Sequence, residues 1–417
     1  MQLIEPFIRA YRSLFSEQGL LASLFTIYAL SQLRYTWRVL QAMRRQGKGL
    51  SEPPLTFEKK RLVDEAAVYV AVPISIFLHE FGHAVAVWAF GGHVVEFGFF
   101  FFWGYVLPDR AFPPTAQWII SSAGTWANLG LALAVWLAWR RRAAPVWRYA
   151  AVRVARFQLI FALIMYPVFT ALLALGDWRV IYNFNLTPIL SGLTGLAHSI
   201  LLIGLWRSEQ MGHFEMPAFA TAAAEAQAGQ LAAGLSADPD NLPARMALLR
   251  AYAVGDAPHR ALALAKGLTQ RWPDSAENHF LLAVLQTQSR RRVPRQAVHH
   301  FQQAIRLGLT NPAQLATAQR WLGLHYLDRE DFETALHHFD QAIDAAVAAV
   351  QAGYASAQID EHDLHYWRSI ILRQKKRYAE AQQDLRLALA QAEASNLPQA
   401  AALYREQLKS LDGLVVG

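Results

Sequence analysis

The sequence predicts an all-α membrane protein: a polytopic transmembrane helix bundle with a re-entrant aromatic hairpin, followed by a soluble α-helical repeat domain. Three observations carry that reading. Apolar runs of bilayer-spanning length fill the first half, basic residues crowd the loops between them, and Ala- and Leu-rich helical patterning recurs in the second half. The 417 residues are 54% hydrophobic and only 17% charged, which suits a membrane-embedded part joined to a soluble one.

Helical spans require roughly 17–25 predominantly apolar residues. Runs that qualify cover residues 66–91, 118–139, 157–175 and 186–206. A weaker candidate at 19–33 carries Ser and Gln and either spans or lies in the interface. Between the first two strong runs, VVEFGFFFFWGYVLP (residues 94–108) is too short for a helical span and rich in aromatics and Gly. It reads as a re-entrant hairpin or strand pair, or else as an aromatic belt at the interface. Three regions follow: 1–62, an interfacial or transmembrane helix and a basic loop; 63–213, the transmembrane core; and 214–417, the repeats. The opening MQLIEPFIRAYRSLF mixes acidic and basic residues and offers no small-residue cleavage site, so no removable signal peptide is expected.

Charge is unevenly spread. Residues 1–213 hold 19 Lys+Arg against 11 Asp+Glu, whereas residues 214–417 hold 20 against 21. The basic excess thus belongs to the apolar half, which points to loops at a membrane face and away from nucleic-acid binding. Basic residues cluster from Arg34 to Arg61 and from Arg140 to Arg156. Both loops are expected to be cytoplasmic. Four alternating spans then return the chain to the cytoplasm after Trp206, as in a multi-pass protein of the bacterial inner membrane with cytoplasmic repeats. With no Cys, disulfides, Cys-ligated zinc and thiol catalysis are excluded.

The first strong run contains HEFGH. On a helix, His79 and His83 stand one turn apart on one face with Glu80 beside them. Neutral imidazoles suit a single zinc ion, which in catalytic sites takes three protein ligands and a water. Glu80 is then the general base on that water. Without such a partner, burying these groups at membrane depth is costly. Gly91 and Gly92 are expected to end the helix. Residues elsewhere that offer a further ligand atom include His93, Glu96, Asp177 and His198.

The second strong run carries SSAGTWANLGLALA, with Gly124 and Asn128, and Asp177 follows the third in LLALGDWRV. Together with HEFGH, this succession resembles the site-2 protease family of intramembrane zinc metalloproteases over about residues 66–206. The resemblance implies one zinc ion held by His79, His83 and Asp177, Glu80 as catalytic base, and a transmembrane protein as substrate. It also places Asn128 at the reacting centre, to donate to the scissile carbonyl or orient the unwound substrate; a hydrogen bond to a neighbouring helix is the alternative. Thr125 stands where the family has proline, Trp178 follows the Asp in place of Gly, and of the family's proline run only Pro167 has a counterpart. Counted inward from the loop holding Arg156, His79 lies about 13 residues into its span and Asp177 about 20 into its own. For straight helices rising about 1.5 Å per residue that is a mismatch of roughly 10 Å, and Pro167 offers a break that shortens it. Arg179 reads as an interfacial anchor.

In the second half, helix pairs recur: Tyr252, Ala261, Ala265 and Pro273; Ala283, Ala297, Phe301 and Ala304; Gly323, Tyr326, Phe332, Ala335, Phe339 and Ala342; Tyr378, Ala381, Leu385 and Ala388. Small residues are needed where paired helices cross, and insertions sit in SRRRVPRQ and AVAAVQAGYASAQIDEHD. Residues 218–412 resemble the tetratricopeptide family, which implies a protein or peptide partner, access gating, or self-association into a homo-oligomer. Two other functions remain open. One is a catalytically degenerate scaffold whose repeats recruit cytosolic partners; the other is a membrane zincin with a glutamate third ligand, for which no later span supplies a suitably placed Glu.

Overall fold

Among the described residues, four helices are long and apolar enough to cross a membrane: Phe57–Ala89, Pro114–Trp139, Pro145–Leu172 and Pro188–Gln210. They belong to a computed structural model that describes residues 17–173, 176–288, 292–354 and 361–415. The amino-terminal stretch read for a signal peptide, and the parts of the two insertions at 289–291 and 355–360, lie outside the described residues. The all-α class holds: apart from one two-stranded sheet, the regular elements of the described residues are helices. It divides into two compact units, residues 1–240 with 250–260, and residues 241–249 with 261–417.

In the first unit, α1 (Glu17–Gln46) contains the weaker apolar candidate and runs on through its basic flank. Helix α2 (Phe57–Tyr69) is capped by Thr56, whose side chain accepts from the Lys59 N–H at 3.2 Å. It leads into α3 (Ala71–Ala89), which ends just before Gly91 at a φ of 71°. There a residue without Cβ suits the left-handed backbone. The helices at residues 57 and 145 start ahead of the apolar runs because backbone hydrogen bonding continues into polar flanks.

The aromatic segment forms an antiparallel hairpin of β1 (Val94–Phe99) and β2 (Gly104–Pro108) with a register irregularity between Val94 and Glu96. Helix α4 (Pro114–Trp139) packs along α3. A Cβ on Gly82 would lie 2.7 Å from the Ala123 carbonyl oxygen, so glycine allows these two backbones to approach.

The third apolar helix is composite. Helix α5 (Pro145–Ile160) passes through a π turn (Phe161–Met165) into α6 (Tyr166–Leu173). Pro167 has no N–H to give the Leu163 carbonyl four residues back; that carbonyl accepts from His198 Nε2 at 2.6 Å. A short α7 (Trp178–Ile181) follows, then α8 (Pro188–Gln210). Apolar side chains are exposed along α8, among them Ile189, Leu196, Ile203 and Trp206.

The second unit is built from helices that pack on their sequence neighbours. After α9 (Ala222–Ala237) in the first unit, α10 (Leu242–Val254) and α11 (Pro258–Arg271) are each divided between the two units, and α12 (Ala276–Thr287) and α13 (Arg295–Arg306) belong to the second. They are followed by α14 (Pro312–Leu327), α15 (Phe332–Gln351), α16 (Glu361–Gln374), α17 (Tyr378–Ala394) and α18 (Pro398–Val415). Ala261, Ala297, Ala335 and Ala381 are fully buried, as are Phe301 and Phe339. A Cβ on Gly323 would lie 2.8 Å from the Phe339 ring, so a large side chain fills the space that the small one leaves.

Candidate metal centre

His79 and His83 project from one face of α3, while Asp177 sits in the turn between α6 and α7. His79 Nε2 and His83 Nε2 each lie 3.1 Å from Asp177 Oδ2, and the three donor atoms fall within 4.8 Å of one another. No second group of three such ligands occurs among the described residues. The trio could hold a metal ion. For zinc, bond lengths of about 2.0–2.1 Å imply a tetrahedral edge of about 3.3 Å, close to the two 3.1 Å separations. Two imidazoles and one carboxylate are also a donor set that zinc accepts in hydrolytic enzymes. The space is reserved by Gly124 on α4: a Cβ there would lie 2.6 Å from both His79 Nε2 and His83 Nε2.

Both imidazoles are held from behind. His83 Nδ1 lies 2.7 Å from the Ile120 carbonyl oxygen, which only accepts, so Nδ1 carries a proton and Nε2 is the nitrogen left to bind a metal ion. His79 Nδ1 faces the Asn128 amide at 3.3 Å. Behind it, Ser75 Oγ lies 2.9 Å from the amide's other end and 2.8 Å from Gln158 Oε1. One Ser75 proton cannot serve two oxygens. The bonds balance if Gln158 turns its NH₂ to Ser75, or if Asn128 does so while Ser75 donates to Gln158 and the Asn128 oxygen accepts the Nδ1 proton of His79; only the second leaves Nδ1 protonated. That arrangement also frees Nε2 of His79 for a metal. Asn128 is almost wholly buried and turned to these partners.

Glu80 is buried on the same helix and lines a cavity of about 190 Å³ with His83, Tyr105, Ser121, Tyr166 and Asp177. Strand β2 closes on it: a Cβ at Gly104 would lie 2.6 Å from Glu80 Cγ.

The rival ligands lie elsewhere. His93 is exposed at the base of the hairpin, its backbone N–H donating to Asp109 at 3.0 Å. Glu96 accepts from the Tyr105 hydroxyl across the strand pair. His198 is held between the Leu163 carbonyl and the Tyr182 hydroxyl, at 2.6 and 2.5 Å.

Four contributors carry no motif signature in the sequence. Gly82, inside HEFGH, sets the helix approach. Ser75 and Gln158 complete the polar relay behind His79. Tyr166 donates to Asp177 Oδ2 at 2.7 Å. The only signal for Tyr166 was a polar-tipped aromatic beside Pro167 in an otherwise apolar stretch.

No protein-family model matches the chain, and no curated protein matches it.

Proposed function

We propose that the chain is an intramembrane zinc endopeptidase of the site-2 protease type, which hydrolyses a peptide bond within or near a transmembrane segment of another membrane protein. The observation that carries this is the meeting of His79, His83 and Asp177 beside Glu80, inside a bundle of helices apolar enough to cross a membrane. The exposed apolar side chains of α8 support a lipid setting, since water would solvate them poorly.

His79 and His83 would hold the ion through Nε2 and Asp177 through Oδ2. When bound, zinc supplies Lewis acidity that polarises a carbonyl oxygen and lowers the pKa of water to about 7. The Glu80 carboxylate takes a proton from water in the cavity and returns it to the departing amide nitrogen. Asn128 keeps His79 in the tautomer and orientation that binding requires. A helical substrate must unwind locally, because its carbonyls are already hydrogen-bonded. The hairpin, read as re-entrant, offers an edge for the unwound stretch: among the described residues β2 pairs only with β1, so its other edge could take an extended chain.

The second unit is read as tetratricopeptide-like repeats. In them, buried small residues let paired helices cross, and stacking buries faces that one pair could not. By the positive-inside rule they lie in the cytoplasm, where they recruit a protein partner or govern substrate access.

The test is metal content and cleavage measured together on purified protein, comparing wild type with Glu80→Gln. One zinc per chain in both, with cleavage of a transmembrane substrate only by wild type, supports the reading. Cleavage retained by Glu80→Gln removes the assigned base; wild type that retains no zinc leaves an anchoring scaffold.

A further inference from the structure

We propose that Tyr166 is a positioning residue of the metal centre, whose hydroxyl pins the Asp177 carboxylate as third ligand. This rests on the zinc reading given above and assigns a residue that the motif pattern does not contain.

The Tyr166 hydroxyl donates to Asp177 Oδ2 at 2.7 Å and accepts the Asp177 backbone N–H at 3.4 Å. One phenol thus holds both ends of the residue. The oxygen it binds is the one that faces both histidines. A carboxylate oxygen can accept a hydrogen bond and bind a cation at once, and carboxylates that ligate metals are commonly held in this way. A neutral phenol does so without removing the negative charge that attracts the ion.

The surrounding backbone is arranged for this contact. In the π turn, residues five apart share a face, and the Tyr166 N–H bonds to the Phe161 carbonyl. The Tyr166 ring accordingly stacks on Phe161 at 5.8 Å and stands edge-on to His79 at 5.4 Å. His198 holds the same turn through the Leu163 carbonyl. On the other side, Gly176 has a φ of 101°, and a Cβ there would sit 3.2 Å from the Tyr166 hydroxyl. The same Cβ would sit 3.0 Å from Thr170 Oγ1, so glycine lets the Asp177 turn close onto both Thr170 and the phenol.

Tyr166→Phe keeps the ring and its packing and removes only the hydroxyl. Zinc affinity is measured by chelator competition on the full-length protein in detergent, and the visible spectrum of the cobalt-substituted protein reports the ligand field. Expected are wild-type helicity, zinc binding weakened by roughly 10- to 100-fold, and an altered cobalt spectrum. A role in packing alone is met equally well by phenylalanine, so unchanged affinity and spectrum would overturn the inference while leaving the zinc reading standing. Wild type without zinc overturns both. Should Tyr166→Phe not fold, 4-fluorophenylalanine placed at position 166 fills the hydroxyl's volume without a proton to donate: weakened zinc binding supports the inference and full affinity overturns it.

Discussion

His83 Nε2 and Asp177 Oδ2 lie 3.1 Å apart across 94 positions of sequence. The contact joins one helix of the apolar bundle to a turn that follows another, and it brings a third potential ligand to the two histidines. It depends on close helix approach, on the composite third helix, and on a turn that closes over the site.

Close approach predicts the effect of Gly124→Ala. The added methyl would occupy the space 2.6 Å from both imidazole Nε2 atoms, where the ion would sit. Zinc content should fall from about one ion per chain to a small fraction, with far-UV circular dichroism unchanged. Stoichiometric zinc in the variant would show that the ion does not sit between these nitrogens.

Asn128 is predicted to act as an acceptor for the His79 Nδ1 proton. Asn128→Ala should weaken zinc binding by roughly 10- to 100-fold, whereas Asn128→Asp, which keeps an acceptor oxygen, should retain most of the affinity. Were the amide needed instead as a donor to substrate, Asp would fail in cleavage while zinc binding stayed intact in both variants.

The second unit should lose stability in mild acid. Burial, with His279 and His299 alongside, pushes His300 down to about 4, and burial with His337 does the same for His338. The unfolded chain takes up these protons near pH 6.5, before the folded chain does. Their contribution is therefore complete above about pH 6.5 and declines as pH falls toward 4. Thermal unfolding followed from pH 7.5 to 4.5 should show a falling midpoint, and replacing both histidines by Gln should flatten that slope.

Phe339 is fully buried against Gly323. Phe339→Ala should destabilise the second unit by about 3–5 kcal/mol, the usual cost of emptying such a site. Denaturant unfolding measures this, and a loss under about 1 kcal/mol would mean that neighbours collapse into the space.

Four apolar helices, the aromatic strand pair and the buried alanines of the helix pairs were all legible in the sequence. Each is a periodic or compositional signal spread over neighbouring residues. HEFGH was legible for the same reason, since a helical turn places His79 beside His83. Asp177 was reached only through resemblance, and straight-helix geometry argued against it. The π turn, the break beside Pro167 and the short α7 were not legible, because hydrogen-bond register within an apolar run leaves little trace in residue type.

What the sequence by itself determined is therefore local: which segments are helical and apolar, which face carries the imidazoles, and where small residues recur. The tertiary structure decided that Asp177 meets the histidines, that Asn128 turns to His79, that Tyr166 reaches Asp177, and that His93, Glu96 and His198 serve elsewhere. The division has a physical cause. Helical periodicity is set by residues up to four apart, whereas ligand geometry depends on ångström-scale distances between segments that only packing brings together.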